Sequence, residues 1–446
     1  MFDFNLSRIL LLALFIIPDE SHNVNANPLH SSSRSSPSFD ILDAKRDDGY
    51  WFAKVHVGEG NGKGLKLLID TGSPFVILKP QALPELSIGS GGSGSADLDF
   101  LTKAGPDGQQ KSSMNVEFHK VDLKLGSLSV AGQKIGLVHG QTPIPGDGIL
   151  GLSLSVPPGA SQIMQGPTVL QGLCASDQLS SCYFGTGFCA DGSGKLLLGT
   201  NRTSPGKPAY VESEAAKFSS KEGVGIDRPW YIHSTGDKIM PRVGSQTLPA
   251  SDSFYVFDSG SEVTIGPIEQ VKKIFLLAGI EYHEKQTDLG KWVYGLYDCN
   301  IALPSIGFEL WKKFFPFSPS AIKYSSTDDG SQHTDGAPAT DFTTSASGFF
   351  RKRGFAERDA KMIVKRLRKA HGAMEKRTTA TTQEFKPYHS NGGGGKCLTS
   401  IFGSDTLVSK PNFWILGQNF YVDKLVFHGA DATITVAPIL EDSGIC

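Results

Sequence analysis

Two aspartates carry the chemistry this sequence can offer. Asp70 lies in KLLIDTGSPFVIL (66–78), inside an otherwise apolar run, and Asp258 lies in YVFDSGSEVTIG (255–266). Burying a lone carboxylate is expensive. Two carboxylates brought close cannot both ionise, so one apparent pKa rises while the other falls. A pair sharing one proton can hold a water, deprotonate it as general base and protonate a leaving group as general acid. The flanking residues suit that role. The glycine of each motif lets the backbone turn tightly. The serine three residues after each aspartate can hydrogen-bond its carboxylate.

The elements that must bring these loops together are short strands. From Tyr50 onward the chain reads as β: YWFAKVHVG and KLLID flank a glycine-rich turn, and Val116 to Val138 alternates, with Gly126 and Gly132 as turn markers. Such spacing predicts an all-β sandwich or barrel-like body. The two aspartate motifs are internal echoes, and each is followed by Ile-Leu-Gly, in DGILGLS (147–153) and FWILGQNF (413–420). Internal similarity on this scale implies two related lobes. The Asp-to-Ile spacing is 79 residues in the first copy and 157 in the second. The excess predicts an insertion, and the composition places it at about 325–396. Its ends are polar and of low complexity, which reads as disorder. Its middle, Arg351 to Arg377, carries a net charge of +8, leaving −10 for the rest. Ala356, Ala360, Ile363, Leu367, Ala370 and Met374 recur there at helical steps. That segment reads as a solvated loop helix, as a basic surface for docking, or as a target for cutting at Arg351–Arg353 and Lys376–Arg377.

The chain has 446 residues, 39% of them hydrophobic, 51 glycines and a net charge of −2, a globular composition that points neither to nucleic acid nor to a membrane. Arg8, the apolar stretch Ile9 to Pro18 and Val24 to Ala26 predict a signal peptide over 1–26, too short to span a bilayer. The Ser-rich stretch 27–46 ends in Lys45–Arg46, which reads as a short propeptide cut by a processing protease. The lobes are then 47–212 and 213–446. Six cysteines behind a signal peptide predict disulfides. None forms C-x-x-C and no histidine has finger spacing, so no metal is expected. Asn201 heads a glycosylation sequon. No G-x-S-x-G or H-E-x-x-H occurs, and GSGGSG (89–94) matches G-x-G-x-x-G only within a Ser/Gly loop.

On these residues the sequence resembles the pepsin-like aspartic proteases. DTGS (70–73) and DSGS (258–261) match the family's two active-site loops, and GDGILGLS (146–153) and WILGQNFY (414–421) match the segments that thread behind them. PWYI (229–232) and YDCNIALPSIGFEL (297–310) resemble strands of the second lobe. The resemblance implies a mostly β, bilobal pepsin-like fold with a cleft between two barrel-like lobes. It implies a monomeric, secreted or vacuolar/lysosomal endopeptidase acting on polypeptides at acidic pH, with no cofactor. Asp70 and Asp258 would be the dyad, supported by Thr71, Gly72, Ser73, Ser259, Gly260 and Ser261. It also implies a Cys299–Cys397 disulfide and suggests that Cys182 and Cys189 close a hairpin, leaving Cys174 and Cys446 open. Two departures stand out. Ile77 occupies a position where the family usually has Trp. The flap, expected between Ala96 and Glu117, has no Tyr, and Phe100 is its nearest aromatic. Those departures favour an alternative, a non-catalytic binding or inhibitor protein on the same fold.

Overall fold

The computed structural model describes residues 39–446 apart from 48, 59–62, 83–93, 104–109, 139–143, 157–164, 177, 180, 205–206, 223, 226–229, 251, 288–289, 327–395 and 405–411. The expected signal peptide, the Ser-rich stretch to residue 38, and the basic segment with its expected helix and cutting sites lie outside the described residues.

In the first half, ten strands matter. They are β1 (Asp40–Asp47), β2 (Tyr50–Val57), β3 (Lys63–Asp70), β4 (Val76–Leu78), β5 (Ser95–Lys103), β6 (Gln110–Leu125), β7 (Leu128–Val138), β8 (Gly148–Gly151), β9 (Tyr183–Phe188) and β10 (Ser193–Leu198). Six of them close a barrel in the order β2, β3, β8, β4, β7, β6, with His56 of β2 opposite Lys124 of β6. Alternation fills it: in β2, Ala53, Val55 and Val57 are buried, while Lys54 is exposed and His56 half-buried between them. The sheet continues past β2 through β1, β10 and β9.

Asp70 ends β3, which runs parallel to β8, with Asp70 opposite Gly151. β4 pairs antiparallel with β8 and parallel with β7. The second half repeats this wiring. Ser253–Phe257 runs parallel to Phe413–Leu416, Thr264–Gly266 pairs antiparallel with that strand, and Thr264–Gly266 lies parallel to Lys396–Ser404. The repeat in the sequence is therefore a repeat in topology. The helix Ile268–Ala278 buries Val271 and Phe275 and ends at Gly279, whose φ of 70° lets the chain leave in a left-handed turn.

Three findings bear on the sequence-based expectations. First, the halves are not separate sheets. Lys424–Gly429 pairs with β9, Thr433–Pro438 pairs with it, and Ala216–Phe218 closes that edge. The end of the chain thus completes the sheet begun by the first half. Alternation told which face of these strands is buried but not which partner they find.

Second, Lys45 and Arg46 lie inside β1. Lys45 faces Ser193 of β10 and Phe52 of β2, and the Arg46 N–H donates to the Gly192 carbonyl at 2.9 Å. A boundary at Asp47 would divide a strand held on both edges, so the described fold uses residues 40–46 as part of its sheet.

Third, Cys182 does not pair with Cys189. The disulfides are Cys174–Cys182, Cys189–Cys446 and Cys299–Cys397, with Cα separations of 5.5, 5.6 and 5.1 Å. The expected hairpin is the single extended strand β9. An extended strand rises about 3.3 Å per residue, which puts its two ends far beyond disulfide reach. Lys323–Ser326 and Lys396–Ser404 pair antiparallel on either side of the insertion, close to the Cys299–Cys397 bond.

Candidate active site

The site grows from two short loops at the ends of parallel strands. Asp70 and Asp258 are buried to 1% and 2% exposure. Each carboxyl lies against the glycine of the opposite loop, which brings the two into close electrostatic interaction. The glycines make this approach possible: a methyl group on Gly72 would lie 2.6 Å from Oδ1 of Asp258, and one on Gly260 would press on the Asp70 carboxylate.

The two carboxyls are not equivalent. Asp70 Oδ1 accepts the N–H of Gly72 at 2.8 Å and of Ser73 at 3.2 Å, and its Oδ2 accepts the Ser73 hydroxyl at 2.6 Å. Asp258 Oδ1 accepts the Gly260 N–H at 2.9 Å. The Ser261 hydroxyl turns instead to the Val263 carbonyl at 2.9 Å. The expectation of a serine hydroxyl on each carboxylate therefore holds for Ser73 and fails for Ser261. Burial raises the pKa of Asp70, and its donors oppose that rise. Burial and the neighbouring Asp70 charge raise that of Asp258 well above the usual carboxylate range. The donors on Asp70 favour its carboxylate form, and the environment of Asp258 favours its protonated form.

The loops are cross-linked by a reciprocal set of buried bonds. The Thr71 hydroxyl donates to the Phe257 carbonyl at 2.8 Å and accepts the Ser259 N–H at 2.9 Å. The Ser259 hydroxyl donates to the Ile69 carbonyl at 2.8 Å and accepts the Thr71 N–H at 3.1 Å. Each loop thus fixes the backbone of the other.

The Ile-Leu-Gly segments form the floor. The Leu152 N–H donates to the Asp70 carbonyl at 2.8 Å, and the Asp258 N–H donates to the Leu416 carbonyl at 3.0 Å. At Gly417 a methyl group would lie 2.7 Å from the Ser261 carbonyl oxygen and closer still to that of Val263. Three supporting residues went unrecognised in the sequence. Gln418 Nε2 donates to the Ser259 carbonyl at 2.6 Å, the Tyr421 hydroxyl lies 3.3 Å from that of Thr71, and the Trp230 indole N–H reaches the Leu152 carbonyl at 3.1 Å. Gln418 and Tyr421 lie in the very segment that follows the second Ile-Leu-Gly, which was the available signal.

The hairpin of β5 and β6 occupies the stretch where the flap was expected, and its tip at 104–109 lies outside the described residues. The Phe100 backbone sits opposite Ser112. Ile77 is buried in an apolar cluster with Phe75, Val116 and Phe118 at the root of that hairpin. It makes an apolar contact where Trp would offer an N–H. Asn201 is exposed on a turn between β10 and Arg202–Ser204. Among the described residues no helix is long and apolar enough to cross a membrane, and no group of three or more His, Cys, Asp or Glu could hold a metal ion.

No protein-family model and no curated protein sequence matches the chain. Among solved structures the fold is similar to that of the aspartic proteinase from Irpex lacteus. The match has a TM-score of 0.55 and 15% identity, over 92% of this chain and 99% of that one. At that identity the likeness establishes the fold, which is mostly β and pepsin-like.

Proposed function

We propose that the protein is an aspartic endopeptidase of the secretory pathway that hydrolyses peptide bonds at acidic pH. The observation that carries this reading is the buried, closely apposed pair Asp70 and Asp258, in which Asp70 receives the hydroxyl and N–H donors and Asp258 keeps the more strongly raised pKa. In this scheme Asp70 takes a proton from a water held between the carboxyls as the water oxygen attacks the peptide carbonyl carbon. Asp258 gives its proton to the carbonyl oxygen. In the second half, Asp258 recovers a proton from the resulting diol, Asp70 delivers its own to the amide nitrogen, and the C–N bond breaks. The dyad ends with one proton, as it began.

The cross-linked loops support the scheme because both carboxyls must hold position while protons move. Three disulfides suit an oxidising compartment, and polypeptides are the expected partners.

Denatured protein substrate incubated across pH 3–7 is the test. Cleavage in the acid range, blocked by pepstatin and abolished by Asp70→Asn, is the expected result. Correctly processed protein that cleaves nothing anywhere in that range refutes it. The second reading, a pepsin-fold binding or inhibitor protein, draws on one observation: Ile77 packs in an apolar cluster with Val116 and Phe118 at the root of the β5–β6 hairpin. It predicts a folded protein that binds a peptide or protease tightly and leaves it intact.

A further inference from the structure

A concave site lined by neither Asp70 nor Asp258 lies elsewhere on the fold. It is a pocket of about 580 Å³ with an apolar wall of Phe314, Phe315, Pro316, Phe317 and Pro438. Lys424, only 4% exposed, also lines it. Volume and lining are those of a small-molecule site.

Lys424 is the unusual member. Its Nζ donates to the Val422 carbonyl at 3.1 Å and lies 5.3 Å from the centre of the Phe420 ring. An ammonium has three N–H donors. Among the described residues no carboxylate forms an ion pair with it. Asp423 and Glu214 line the same pocket but are exposed, and the Asp423 carboxylate accepts the Ala190 N–H at 3.0 Å. Lys313, also lining the pocket, donates to the Ala215 carbonyl. A buried cation without a counter-charge is costly unless an anion joins it. Burial accordingly lowers the Lys424 pKa to about 7, which the nearby Asp423 opposes. A methionine or leucine would fill this position without that cost, so the ammonium makes sense where its charge is used.

We propose that this pocket binds an apolar carboxylate, such as a medium-chain fatty acid. The carboxylate would accept charge-assisted hydrogen bonds from Lys424, and the hydrocarbon chain would lie along the Phe314–Phe317 wall. This site is separate from the dyad, and its test does not depend on proteolysis.

The test is calorimetry on the whole protein at pH 6, where Lys424 is charged, with decanoate and decanol as probes. Decanoate should bind at a single site, and decanol at least tenfold more weakly. Lys424→Met should reduce decanoate binding to the decanol level, because only the charge contact is lost. A wild-type measurement stands beside it, independent of how the variant folds: bound decanoate should protect Lys424 from reductive methylation, read by peptide mass spectrometry. Absence of saturable decanoate binding, equal binding of the two probes, or unprotected Lys424 would each overturn the proposal.

Discussion

His428 is fully buried, and its environment makes the protein's acid tolerance a measurable quantity. It stacks on Phe184 at 4.8 Å and lies against Trp230 at 5.1 Å and Phe257 at 6.4 Å. Neither ring nitrogen has a hydrogen-bond partner among the described residues. With only burial acting, its pKa falls from 6.5 to about 3. The folded state therefore resists a proton that the unfolded chain accepts. The sign follows: this group withdraws stability as pH falls below about 6.5, and the loss is nearly complete at pH 3. At about 1.36 kcal/mol per pKa unit, the withdrawal between pH 7 and pH 3 is about 4 kcal/mol. That is a large share of the 5–15 kcal/mol typical of a domain. His428→Phe keeps the aromatic packing and removes the titration. Urea unfolding at half-unit steps from pH 7 to pH 3 should show the variant gaining on wild type by about 4 kcal/mol as the pH falls. The aspartate dyad titrates in both proteins, so the difference curve isolates His428. Parallel curves would refute the reasoning and mean that water or a rearranged partner solvates the ring.

Other consequences are equally direct. Thr71→Val keeps the shape but leaves the Phe257 carbonyl and the Ser259 N–H unpaired in the interior. At about 1–3 kcal/mol for each orphaned group, urea unfolding should show a loss of about 2–6 kcal/mol. Asp258→Asn should be more stable than wild type at neutral pH. The folded pKa of Asp258 is raised, so wild type loses stability as pH rises above the unfolded carboxylate value, and the difference between them should vanish below about pH 4 in thermal melts. Gly417→Ala forces a methyl group against the Val263 and Ser261 carbonyls. Overpacking of this kind costs about 1–3 kcal/mol, and turnover should fall further because the Ser261 backbone must move.

The aspartate loops and their Ile-Leu-Gly partners were legible in the sequence because they are local. Each motif is a few residues whose types are dictated by one turn and one close approach. The Cys182–Cys189 reading failed for the opposite reason. Two nearby cysteines suggested a short loop, but Tyr183 to Phe188 is an extended strand, and Cys189 finds Cys446 at a sequence separation of 257. Lys45 and Arg46 carried a processing signal, while their pairing with β2 and β10 was hidden because both side chains are exposed near the end of β1, where the apolar alternation of Leu42 and Ala44 has stopped. Ser261 shows the limit of symmetry. Its motif matches that of Ser73, yet its hydroxyl serves Val263, and only the three-dimensional neighbourhood reveals which carboxyl receives the extra donor.

The return of Lys424–Gly429 to β9 also sets a timetable for biosynthesis. A ribosome delivers roughly 5–20 residues each second, so the interval between the emergence of Cys189 and of Cys446, 257 residues apart, is roughly 10–50 s. Throughout that interval one edge of β9 lacks its neighbour, and the Asp70 loop waits for Ser259 and then for Gln418. An exposed strand edge invites pairing with other chains. The edge of β9 stays open until Lys424–Gly429 arrives. A premature stop before residue 424 would leave most of the chain translated and its central sheet permanently open.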